Sequence, residues 1–225
     1  MIVLGATGRV GALTVDLALA DGFTVTAIAR TPDKVRRNHE RLTVVQGDTT
    51  DPTGLRQALA QSHGTNVPPG GQPANGDARW VRHTSPSVVM AVGADPLRPS
   101  TLVGDTVANL VQVMPEVGLH RYVGVSGVAQ MPGTPIGRLT QTALRRAIKA
   151  AVDHQRAFDL LVGSHLDWVV AGCPYIKDGQ PPGRALERER PFPGGYHVIS
   201  PRDVAAFLVR HLHDLTHHRQ IIGLW

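Results

Sequence analysis

The stretch MIVLGATGRVG, residues 1–11, runs a short apolar strand straight into glycines at positions 5, 8 and 11. Ile2, Val3 and Leu4 have the character of a buried strand, and Gly5 allows a sharp turn with no Cβ in the way. Gly8 lets backbone approach a ligand closely, and Gly11 lets the following helix pack tightly on the strand. A helix opening near Arg9 points its free N–H groups, and the positive end of its dipole, at whatever sits over the turn. A diphosphate is the ligand that suits such a seat.

The context supports the motif. Val10, Leu13 and Leu17 recur at helical spacing, Asp21-Gly22 supplies a stop, and residues 24–29 read as a second apolar strand. Arg30 ends that strand. Proteins that bind NAD usually place a carboxylate there for the ribose hydroxyls, and a carboxylate would repel a 2′-phosphate. A guanidinium grips one with two charge-assisted hydrogen bonds. Thr31 adds a hydroxyl, and Lys34, Arg36 and Arg37 add positive field, so NADP(H) is the expected cofactor. The competing reading of Arg30 is a solvated strand end.

Working outward, residues 32–37 read as a short helix with Pro at its first position, 42–46 as a third strand, and Asp51-Pro52 as the cap of a helix to about Gln61. A fourth strand over 87–92, a helix over 100–116 and a fifth strand over 122–125 follow. A long helix over 139–163 leads to a sixth strand over 167–171. Residues 196–199 form a short strand, Ser200-Pro201 caps a further helix, and 220–224 is the last strand. This alternation predicts an α/β fold: a Rossmann-type, doubly wound parallel sheet forming a single domain over 1–225. Two stretches break the rhythm. Residues 63–86, rich in Gly, Pro and Asn, read as an inserted flexible loop away from the ligand edge. Residues 172–198 follow a strand's carboxyl end and read as a small C-terminal lobe covering the substrate.

The 225 residues suffice for one sizeable core. No apolar run approaches the ~20 residues a bilayer crossing needs, and the first strand begins at once, so a cytoplasmic protein without signal peptide or membrane contact is expected. Cys173 is the single cysteine, which excludes an intrachain disulfide and fits a reducing compartment. A net charge of +5 with scattered basic residues and only 4% aromatics argues for an anionic small molecule rather than nucleic acid. A monomer or homodimer is expected.

The segments GATGRVG (5–11), AIAR (27–30), VVQGDTTD (44–51), AVGA (91–94) and YVGVSG (122–127) resemble the atypical short-chain dehydrogenase/reductases of the NAD(P)-binding, NmrA-like group. The stretch DHQRAFDLLVGSHLDWVVAGCPYIKDG (153–179) is similar to the flavin reductase/biliverdin-IXβ reductase branch. The resemblance implies that Gly5, Thr7, Gly8, Arg9 and Val10 line the pyrophosphate and that Arg30 holds the 2′-phosphate. It places Asp48 on the adenine amino group with Thr49 beside it, Val92 and Gly93 along the ribose chain, and Cys173, Pro174, Tyr175 and Ile176 around the nicotinamide.

No tyrosine is followed four residues later by lysine, so the Tyr-Lys proton-transfer dyad of ordinary alcohol dehydrogenases is absent. The candidate catalytic residues are therefore Ser126, His154 and Tyr175. Each has a plain alternative: packing for Ser126, a partly exposed helix position for His154, a structural loop residue for Tyr175. Cys173 reads as a small buried apolar residue. His213 and His217, four apart with His211 and His218 nearby, have metal-compatible spacing but read as a solvated helix face, and no metal is assigned. The expected function is NADPH-dependent reduction of a small planar conjugated acceptor (flavin, quinone or biliverdin-like), by hydride transfer. The alternative is a non-catalytic NADP(H)-binding redox sensor or regulator.

Overall fold

Ile2, Val3 and Leu4 are almost wholly shielded from solvent and form β1 (Ile2–Leu4), the middle of a sheet rather than its edge. The computed structural model describes residues 1–65, 86–95, 98–148, 151–183, 185–212, 214 and 216–225. In chain order, β1 is followed by α1 (Arg9–Ala20), β2 (Val25–Ala29), β3 (Leu42–Gln46), α2 (Pro52–Thr65), β4 (Val88–Met90) and α3 (Leu102–Glu116). Then come β5 (Arg121–Gly127), α4 (Pro135–Ala147), α5 (Ala151–Gly163), β6 (Asp167–Cys173), β7 (Tyr175–Ile176), β8 (Glu187–Arg188), β9 (Val198–Ile199), α6 (Pro201–Arg210) and β10 (Gln220–Leu224).

Among the described residues the main sheet has the order β3-β2-β1-β4-β5-β6-β10-β8, parallel throughout except for β8, which runs antiparallel to β10 at the edge. Strand order reverses between β1 and β4, which opens a crevice at their carboxyl ends. Alternation along each strand feeds two cores. Val3, Ala27, Val89, Val123 and Val169 pack under α1 and α6 against Val15, Ala18, Val204 and Phe207. Ile2, Leu4, Ile28, Met90 and Trp168 pack against Leu55, Val107, Leu110 and Leu161 of α2, α3 and α5. Each such side chain contributes about 1.5–3 kcal/mol, so the crevice rests on a rigid base.

The structure revises several boundaries. The expected helix over 139–163 is two helices, because Ile148 leaves helical geometry at φ −97°, ψ 109°. Ile136 and Leu139 on α4 lie 70% and 73% exposed, so apolar spacing there does not mark a buried face. The helix after Pro52 runs to Thr65, absorbing the first residues of the expected loop; its stretch 66–85 lies outside the described residues. The short helix after Thr31 is one 3₁₀ turn, Pro32–Lys34. The 172–198 lobe carries strands of its own: β7 pairs with β9, and Phe192 is buried against Val128, Met131 and Trp225. No described helix is long and apolar enough to cross a membrane.

Candidate active site

Gly5 ends β1 at φ +79°, in the left-handed region, and a Cβ there would lie 2.7 Å from the Ala91 carbonyl carbon and 2.8 Å from the Val92 nitrogen. Both conformation and crowding therefore demand glycine. The Gly8 N–H donates to the Gly5 carbonyl at 2.9 Å, closing the turn. A Cβ on Gly11 would stand 2.7 Å from the Gly5 carbonyl carbon and closer still to its oxygen, so α1 packs on the turn as tightly as backbone allows. On Gly8 a Cβ would meet the Gly5 oxygen at 3.2 Å and the Ala91 oxygen at 3.9 Å. Its stronger effect would be to cover the open end of α1.

That end is free. Gly8 is the N-cap of α1 and supplies no side-chain hydrogen bond, so the first N–H groups of the helix are left for an anion. The helix that starts at this edge after β4, α3, is closed. The buried Asp153 carboxylate accepts from the Val103 and Gly104 N–H groups at 2.9 and 2.8 Å. Asp153 was missed in the sequence, where an acid in the first turn of α5 gives no hint that it caps a different helix. Of the expected diphosphate residues, Thr7, Gly8 and Arg9 are exposed and Val10 is half-buried. Arg9 also reaches the lobe: its guanidinium donates to Asp178 at 3.0 Å, with both side chains more than 60% exposed. Such a pair contributes under about 1 kcal/mol.

At the adenosine end, Arg30 is exposed just past β2, and the turn after β3 places Asp48 within its electrostatic reach. Asp48 accepts from the Thr50 N–H and hydroxyl at 2.9 and 2.8 Å. These bonds, with help from the Arg30 charge, hold its carboxyl below the usual range and ionised. An ionised acceptor suits an adenine amino group. Thr49, which the resemblance sets beside it, is buried, its hydroxyl 2.9 Å from that of Thr106, and its carbonyl accepts from the Asn109 side chain. It fastens the end of β3 to α3. Arg37 is likewise committed to Asp16, so the field around Arg30 comes from exposed Lys34 and Arg36.

The reacting end lies where β4, β5 and β6 finish. Gly93 faces open space, with nothing within 4 Å of where a Cβ would be, and Val92 beside it is half-buried. Ser126 and Gly127 end β5 in register with Gly172 and Cys173 of β6. The Ser126 hydroxyl has a long contact, 3.4 Å, to Gln130 Oε1, which also accepts from the Gly127 N–H at 3.2 Å. Gln130 is buried, and its Nε2 has no hydrogen-bond partner among the described residues. His154 sits half-buried on α5, and burial pushes its pKa down against the pull of neighbouring Asp153. Burial also pushes the Cys173 thiol far up, so it is no nucleophile. Tyr175 is 55% exposed on β7, Pro174 and Ile176 are half-buried, and Ile176 packs on the core beneath α1. No hydrogen bond joins Ser126, His154 and Tyr175 to one another. An open cleft of about 870 Å³ lies elsewhere, lined by Val111, Arg145, Arg156 and Leu160, and shares no residue with this site.

A family model described as NAD(P)H-binding matches residues 5–215. The chain belongs to the NAD(P)H-binding family. Its fold is shared with a short-chain dehydrogenase/reductase from Veillonella parvula DSM 2008 in complex with NADP (18% identity, TM-score 0.69, 99% of this chain and 92% of that one). It is shared too with ChuY, an anaerobillin reductase from Escherichia coli O157:H7 (19%, 0.68, 99% and 95%). A third is a protein described as exported, from Burkholderia pseudomallei (22%, 0.72, 99% and 97%). At these identities the likeness is one of fold. No curated protein matches the chain. The residues fit the family's ligand on their own terms: a glycine turn that a Cβ would block, an uncapped helix end above it, and an ionised acceptor with a free guanidinium at the far side.

Proposed function

We propose that this NAD(P)H-binding chain is an NADPH-dependent reductase of a planar conjugated acceptor: a flavin, quinone or linear tetrapyrrole. The observation that carries this reading is that, among the described residues, no side chain at the reacting end is hydrogen-bonded into a proton relay. The Cys173 thiol is buried and kept protonated, and the Ser126 hydroxyl meets only Gln130. His154, kept neutral by burial, stands alone. Such a site suits an acceptor whose reduced form takes its proton from water. Bound NADPH would supply the hydride. Around it, α1 would hold the diphosphate, Arg30 the 2′-phosphate and Asp48 the adenine, and the exposed Tyr175 ring would offer the acceptor a stacking face.

The test is a screen for NADPH oxidation with FMN, quinones and biliverdin, with Arg30→Ala as the control. Turnover with one of them, weakened in the variant, supports the reading; oxidation no faster than in buffer with all of them refutes it. A redox-sensing role is favoured by one contact, the Arg9–Asp178 pair from the diphosphate seat to the lobe. It would show as NADP⁺ and NADPH changing association with a partner while turnover stays nil.

A further inference from the structure

We propose that His211, Asp214 and His217 form a zinc site, independent of the cofactor crevice. His211 and Asp214 follow the end of α6, and one ring nitrogen of each histidine and a carboxylate oxygen of Asp214 all lie within 4.8 Å of one another. Asp214 Oδ2 is 3.5 Å from His211 Nδ1 and 3.2 Å from His217 Nδ1. Metal–ligand bonds of about 2.0–2.1 Å in a tetrahedron put neighbouring ligand atoms about 3.3 Å apart. Two edges of the required tetrahedron are already in place.

The hydrogen bonding points the same way. His211 Nε2 meets Glu187 Oε2 at 3.0 Å, and His217 Nε2 meets Glu189 Oε1 at 3.1 Å. A neutral imidazole that donates through Nε2 carries its lone pair on Nδ1. His211 Nδ1 then turns an unpaired lone pair toward Asp214, and an ion bound there would take the place of the proton in the 3.2 Å His217 Nδ1–Asp214 hydrogen bond. Carboxylates behind ligating histidines are the usual outer shell of a zinc site. His211 supplies the decisive detail: its side chain is fully buried, and among the described residues Nδ1 has no hydrogen-bond partner. The Thr216 hydroxyl lies 3.0 Å from His217 Nδ1 and donates to the other oxygen of Asp214.

The backbone is arranged in advance. Arg121, buried at the start of β5, donates to the carbonyls of His211, Asp214 and His217 at 2.9, 2.8 and 3.1 Å. One guanidinium thus gathers the main chain of all three ligands and leaves their side chains to converge. The Arg121 and Arg210 charges are met by Asp167 and Glu187. Two imidazoles and one carboxylate are a donor set that zinc accepts, with a fourth position for water. The ion would close the segment after α6 on itself, with Glu187 of β8 holding His211 from behind. The spacing noticed in the sequence, His213 with His217, is not this set: His213 lies outside the described residues, and His218 is 2.9 Å from Asp167.

The experiment is titration of the metal-stripped full chain with Zn²⁺ against a chromophoric chelator, repeated with Co²⁺ for its tetrahedral absorption bands. Expected are one tight ion per chain, intense cobalt bands and a raised melting temperature. His217→Gln and Asp214→Ala, at the more exposed ligands, should abolish all three while melting like the metal-free parent without metal. Glu187→Gln should weaken binding by about 10- to 100-fold, and His39→Ala should leave it unchanged. Failure of the parent to bind Zn²⁺ above micromolar affinity, or tight binding that survives both ligand substitutions, overturns the site.

Discussion

Replacing Gly11 with alanine tests the cradle where it is tightest. The added Cβ would stand 2.7 Å from the Gly5 carbonyl carbon, against an ordinary contact of 3.4–4 Å, and nothing flexible lies in the way that could give. α1 must then withdraw by about 1 Å from the turn, or the turn must open. Overpacking of this kind costs about 1–3 kcal/mol, and the gain in helix propensity from Gly to Ala returns about 1. A backbone-to-backbone clash belongs at the upper end, so the net loss is about 2 kcal/mol. The same displacement stretches the hydrogen bonds that the open end of α1 offers an anion, each worth about 1.5–3 kcal/mol, so NADPH binding should weaken by about 10- to 100-fold. Urea denaturation measures the first effect and NADPH fluorescence titration the second. Gly163→Ala is the control: nothing lies within 4 Å of its Cβ and its φ is not left-handed, so stability should hold or rise slightly. Unchanged unfolding midpoint and unchanged NADPH affinity in Gly11→Ala would refute the argument that a close strand–helix junction positions the phosphate seat.

Arg30→Ala should weaken NADPH by about 10- to 100-fold and leave NADH almost untouched, since only the 2′-phosphate needs the guanidinium; equal losses for both cofactors in calorimetry would remove its assigned role. Asp153→Ala strands two N–H groups at the buried start of α3 and should destabilise the chain by about 2–4 kcal/mol in urea melts, with a shift under 1 kcal/mol counting against the cap. Because burial lowers the His154 pKa, the unfolded chain takes up that proton first as pH falls. The stability tied to His154 is therefore present above its ordinary value near 6.5 and lost below it, down to the folded pKa. Proton NMR should find the imidazole titrating below 6.5, and a normal or raised value would contradict this. Cys173 should resist a thiol reagent in the native chain and react at once in denaturant; rapid native labelling would show that its burial is incomplete.

Features whose physics is local were legible along the chain. A glycine spacing that lets a strand turn under a helix is written in residues 1–11, and apolar periods of two and 3.6 residues place most strands and helices within a few positions. The charge of Arg30 at a strand end is equally local, and so is the missing lysine after each tyrosine. Tertiary structure decided whatever depends on which distant groups meet. Nothing near position 49 announces that Thr49 turns inward to Thr106, nor does position 153 announce that its carboxylate closes a helix some fifty residues earlier. The split of α4 from α5 at Ile148 escaped because α4 keeps apolar residues on a solvent face, where period and burial part company. The histidines after α6 make the same point: helical spacing suggested one pair, whereas chain wound around the buried Arg121 guanidinium brings together His211, Asp214 and His217. Side-chain convergence across the fold is set by packing and by the need of buried polar groups for partners, and neither quantity has a period in the sequence.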